Sequence, residues 1–120
     1  MRDVSERDWK LFRKKLPGWQ EAYMERLCKE YIELLSSESK ASERFWKLEK
    51  RITDDRKKTG VIVSMRRSKM IFHIADLVND GAINMSDIEE FSDDVKTSVR
   101  LFLRMEENGH WGPVTRYGKK

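Results

Sequence analysis

Apolar residues recur at three- and four-residue steps along most of this chain, and polar breaks divide the pattern into helical segments. Ser5 stands before Trp9, Phe12 and Leu16 as an N-cap, with Asp8 in the first turn, where a carboxylate suits the positive helix end. Pro17-Gly18 is expected to break or kink this helix, because proline lacks an N–H and disfavours helical backbone before it. A second helix follows over 18–35. Trp19, Tyr23, Leu27, Tyr31 and Leu34/Leu35 form its stripe, which Met24, Cys28 and Ile32 widen. Residues 36–40 have no apolar anchor and read as a loop. A third helix starts near Ser39 or Ser42. Phe45, Leu48 and Ile52 mark its face, Trp46 lies beside them, and a charged turn over 53–60 ends it.

Residues 61–78, VIVSMRRSKMIFHIADLV, are the most continuously apolar stretch and read as the central core helix. Val61, Met65, Ser68, Phe72, Ala75 and Val78 then share one side, and Arg66, Lys69 and His73 another. Val61, Ile62 and Val63 are β-branched and would also suit extended backbone. The helical spacing that continues to Val78 favours the helix. Gly81 is the left-handed residue expected after its end. Ser86-Asp87-Ile88-Glu89 reads as a capping box, and Ser92-Asp93-Asp94 offers a second helix start. Val95, Val99, Phe102 and Leu103 carry a last long helix to about Asn108-Gly109. The fold class expected is all-α, a single-domain bundle of five to six helices over 1–109, with a non-helical tail over 110–120.

Composition supports this reading. Among 120 residues, only two are proline and six glycine, which disfavours a turn-rich β fold. No apolar run approaches the roughly 20 residues needed to span a bilayer, so no membrane association is expected. The start, MRDVSERDWK, lacks the apolar core of a signal peptide. The lone cysteine, Cys28, forms no internal disulfide and fits a reducing compartment; on the apolar flank of its helix it reads as a core thiol. The expected location is the cytoplasm. The net charge of +4 is unevenly spread. Basic residues dominate from Lys40 to Lys69, and acidic ones dominate after Met70. Such asymmetry can draw a polyanion to one face or let two copies attract head to tail, although local pairing across solvated helix faces accounts for many such patterns.

Candidate chemistry is sparse. Asp76 to Asp87 superficially resembles a calcium-binding EF-hand loop. However, Val78 stands where an oxygen ligand is required, and Asp87 replaces the longer bidentate glutamate. Cys28, His73 and His110 show no metal-ligand spacing, so no metal and no cofactor are expected. His73 could serve as an acid or base only if Asp76 or Asp80 oriented it. No phosphate-binding glycine loop occurs, and no enzyme is expected. The basic cluster is the remaining signal: Arg66, Lys69 and His73 along one helical face, with Arg56, Lys57 and Lys58 preceding them. These cations could hold phosphates, and Arg67 could instead bridge to Asp93 or Asp94 within the domain. Trp9, Trp19 and Trp46 are expected in the core; Trp111 and Tyr117, in the tail, are candidates for an interface.

The segments RDWKLFRKKLPGWQEAYMERLCKEYIELL and MRRSKMIFHIADLVNDGAI resemble a family of small uncharacterised helical proteins of Gram-positive gut bacteria. Some members carry a transporter-like label, which this chain's lack of an apolar span does not support. The resemblance implies no catalytic residues. A small, highly charged protein would also suit a mobile-element or phage origin. The function expected is a non-enzymatic regulatory or adaptor protein acting by protein–protein binding. Its surfaces would be Arg66, Lys69 and His73 and the tail aromatics. The alternative is a nucleic-acid-binding protein that uses Arg56, Lys57, Lys58, Arg66, Arg67 and Lys69 on phosphates.

Overall fold

The computed structural model describes residues 4–107. Four α-helices make up most of them: α1 (Glu6–Leu35), α2 (Ala41–Asp55), α3 (Met70–Asn79) and α4 (Asp93–Glu107), with short 3₁₀ turns at Arg67–Lys69 and Met85–Ile88. Among the described residues the helix count is therefore four, not five to six. Two of the expected helices are one.

α1 begins as expected. Ser5 Oγ accepts the Asp8 N–H at 3.1 Å, and Glu6 and Asp8 occupy the first turn. The helix then continues through Pro17 without a break. An interior proline costs about 3 kcal/mol. Phe12 and Leu16 before it and Tyr23 and Leu27 after it are all buried, and each such side chain stabilises by about 1.5–3 kcal/mol. Packing on both sides of the proline thus outweighs the local penalty.

The central segment also differs from expectation. Residues 62–66 are not helical, and Arg66 is extended (φ −114°, ψ 124°). The three β-branched residues follow Gly60, which lies flat against the Tyr23 ring; a Cβ there would sit 2.3 Å from a ring carbon. The chain leaves this pinned turn without regular structure, and α-helix resumes only where burial becomes periodic: Met70, Ile71, Ile74, Ala75 and Leu77. Met65, expected on the buried side, is 46% exposed. α3 ends as anticipated, with Gly81 at φ 79°. Ala82 N–H bonds the Leu77 carbonyl and Gly81 N–H the Val78 carbonyl, a Schellman closure. The following capping box lies two residues earlier than expected: Asn84 caps, and its N–H donates to Asp87 Oδ2 at 2.8 Å.

The core lies at one end of the molecule. Phe12 and Leu16 of α1 meet Met70, Ile74 and Leu77 of α3 and Val95 and Val99 of α4, with Ile88 and Phe91 between them. Trp9 and Trp19 pack against it, Trp19 tilted on Phe91 at 6.3 Å, as core tryptophans should. Asp8, 2% exposed, ties the start of α1 to that of α4: Ser92 donates to it from both N–H (3.0 Å) and Oγ (2.7 Å). Burial alone would push the Asp8 carboxyl up, but the bonds from Ser92 and Ser5 and the Arg7 charge outweigh it and hold the pKa below its ordinary value. The second half of α1 leaves this base and pairs with α2 as a projecting arm. A radius of gyration of 16.3 Å, against about 13–14 Å for a compact chain of this length, reflects that extension. Among the described residues, no helix is long and apolar enough to cross a membrane.

Candidate functional site

The arm is an antiparallel helical hairpin closed mainly by polar contacts. Arg44 donates from Nη1 to the Leu35 carbonyl (2.8 Å) and from Nε to the Ser39 carbonyl (3.0 Å), so a cation satisfies the C-terminal end of α1. Farther down, Asp55 is 4% exposed and accepts the Tyr31 hydroxyl at 2.7 Å. Arg51 reaches Asp55 at 3.3 Å and Glu30 at 2.7 Å, its guanidinium lies over the Tyr31 ring, and Lys58 sits 3.4 Å from Asp55. Desolvation, then the bond to Asp55, pushes the Tyr31 hydroxyl well above its usual range. At the arm's root, Gln20 Nε2 donates to the Thr59 carbonyl at 3.0 Å.

With the hairpin joined this way, Leu27 is buried and Leu34 and Leu48 are half-buried, but its largest apolar residues face outward. Ile32 is 63% exposed, Phe45 60% and Trp46 62%; Leu35 and Ile52 are also exposed. On α1, Cys28, Ile32 and Leu35 fall on one flank at steps of four and three. On α2, Phe45 and Ile52 lie two turns apart, and Trp46 stands edge-on to Phe45 with ring centroids 4.8 Å apart. Two expectations are corrected here: Trp46 is not in the core, and Cys28 is exposed. Both lie beside a stripe that the polar network already closes, so no second layer covers them.

The expected basic residues do not gather into one face. Arg56 and Lys57 are exposed just beyond α2, and Lys58 is drawn back to Asp55. Arg66 is exposed. Arg67 does bridge within the domain, though to Glu6 Oε1 (2.8 Å) and the Val4 carbonyl (2.9 Å), not to Asp93 or Asp94. Lys69 Nζ lies over the Phe72 ring at 5.9 Å. His73 turns inward. Both ring nitrogens are buried without a well-formed hydrogen bond; desolvation lowers the pKa, only partly opposed by the nearby Ser64 backbone. Tyr23, beside Lys58, and Glu6, beside Arg67, are 17 residues apart on α1, so the two clusters sit about 25 Å apart along its axis. Trp111 and Tyr117 lie outside the described residues.

No family model, curated protein or solved structure matches this chain. Its site must therefore be read from its own chemistry. Among the described residues, no group of three or more His, Cys, Asp or Glu side chains is placed to hold a metal ion. The pair of exposed aromatics is the feature that sequence reasoning missed. Helical spacing looks the same whether a stripe faces a core or a partner. One signal was available: Phe45 and Trp46 are adjacent, about 100° apart on the wheel, so one narrow seam cannot bury both.

Proposed function

We propose that the chain is a non-enzymatic regulatory or adaptor protein that acts by binding another protein, with the arm as its binding element. The observation that carries this reading is the exposed, edge-to-face Phe45–Trp46 pair on the same helix as exposed Ile52. Large aromatics supply most of the energy at protein interfaces, and contiguous exposed apolar patches mark such sites. The exposed Cys28 fits action in the reducing cytoplasm.

The test is Trp46→Glu. Because the side chain is exposed, the melting temperature should change by no more than a degree or two, while capture of the partner falls at least about tenfold. Capture that survives the substitution rules out the arm. The alternative, nucleic-acid binding through the basic residues, is less well supported. Phosphate contacts need a continuous cationic track, whereas Lys58 and Arg67 are engaged internally and the two clusters are separated. Nuclease treatment before capture distinguishes the readings: binding that disappears with the nucleic acid belongs to the alternative.

A further inference from the structure

The end of α1 opposite the arm carries a second unexplained surface. A groove of about 680 Å³ opens where α1 starts beside α4. Its floor is apolar, from Val4, Ile71, Val95 and Leu101, and Asp93 and Asp94 stand on its rim. No lysine or arginine lines it. Leu101 is 53% exposed there, although it belongs to the helix whose Val95 and Val99 are fully buried. The nearby cations already have partners: Arg67 bonds Glu6 and the Val4 carbonyl, Arg7 the Glu90 carbonyl and Asp8, and Lys96 lies 3.8 Å from Asp93, whose side chain stays fully exposed.

The two ends are complementary in charge. Residues 40–58 contain eight Lys or Arg and four Asp or Glu, a balance of +4; residues 89–94, which lead into the groove's rim, contain four Asp or Glu and no Lys or Arg, whereas Asp76 and Asp80 lie at the arm's root beside Thr59 and Tyr23 and do not contribute there. The arm therefore presents an aromatic knob on a basic element, and the base presents an apolar groove with an acidic rim. Within one chain they cannot meet. Asp8, at the groove, and Leu35, at the arm, are 27 residues apart on a single rigid helix, about 40 Å.

We infer that the arm's partner is a second copy of this chain, with Phe45 and Trp46 of one molecule seated in the groove between α1 and α4 of the other. This rests on the proposed binding role of the arm and names its occupant. The contact is heterologous, joining different patches of the two molecules. The aromatic pair would cover Leu101, and Lys47, with neighbouring arm cations, would approach Asp93 and Asp94. Exposed charges at the rim make the association weaken as salt rises.

Two variants test it, each altering one exposed residue: Trp46→Glu removes the knob, and Leu101→Lys blocks the groove. Sedimentation of the full chain at low salt should show self-association that grows with concentration. Each variant alone should sediment as a monomer with an unchanged circular dichroism spectrum. Mixed in equal amounts, they should form a 1:1 dimer, because each supplies the surface that the other lacks. A Leu101→Lys variant that still self-associates would show arm-to-arm contact and overturn the proposal, as would a mixture that stays monomeric. A wild-type chain that remains monomeric at several hundred micromolar also overturns it. In that case Trp46-dependent capture of a different protein would leave the adaptor reading standing.

Discussion

One helix, α1, runs through two environments that are stabilised in different ways. Along its first half, Phe12 and Leu16 disappear into a core built with α3 and α4, and polar contacts act mainly at joints such as Asp8 with Ser92. Along its second half the relation reverses. The groups that join α1 to α2 are Tyr31, Glu30, Arg51 and Asp55, and the large apolar residues Ile32, Phe45, Trp46 and Ile52 are left to solvent. In the base, apolar residues serve the fold. In the arm, charge does much of that work beside the buried Leu27, and the large exposed apolar residues are available for something else.

The comparison is tested most strongly in the base. Ile74 is fully buried at the centre of the α3 packing. Ile74→Ala should cost about 3 kcal/mol or more, through lost burial and the cavity left behind, and should lower the melting temperature of the whole chain. A loss below about 1 kcal/mol would mean that the core is not what secures the base. In the arm, Asp55→Ala removes the acceptor of the Tyr31 hydroxyl and the counter-charge of Arg51 and Lys58, for an expected cost of about 2 kcal/mol. That loss should be local: hydrogen exchange should quicken across α2 and the end of α1 while α3 keeps its protection. Uniform loss of protection would mean that arm and base form one cooperative unit.

The same division explains what the sequence could and could not disclose. The cap at Ser5, the Schellman glycine at Gly81 and the buried Val95 and Val99 were legible, because each depends on residues within a turn or two. The unbroken helix through Pro17 was not, since it depends on distant residues that bury both sides: the core around Phe12 and Leu16, and Gly60 against Tyr23. The absence of helix over 62–66 was legible only in part, through the β-branched run at Val61, Ile62 and Val63. What decides it is Gly60 lying against Tyr23, a contact 37 residues apart in the chain. At the candidate site, the basic residues drew notice because clustered charge is visible in sequence. Which of them are engaged was not visible: Arg67 finds Glu6, 61 residues away. The aromatic pair was read as core because an amphipathic stripe gives no sign of whether anything lies opposite it.

The smallest expected effect concerns acid, and it separates the two regions by pH. His73 belongs to the base, its ring nitrogens are buried, and desolvation lowers its pKa below the ordinary 6.5. A base whose folded pKa is depressed favours the neutral form on folding. The unfolded chain therefore takes up the proton first as pH falls, and stability that is complete above about 6.5 declines from there toward the folded pKa. The wild-type chain should accordingly melt at a lower temperature at pH 5 than at pH 7. His73→Phe keeps the ring and its packing beside Phe72 without a titrating group, and should flatten that slope while leaving behaviour below pH 4 to the carboxylates. Because His73 lies in the base, mild acid should quicken exchange in α3 before it does so in the Tyr31–Asp55 contacts of the arm. An unchanged slope in His73→Phe would place the acid sensitivity in another group.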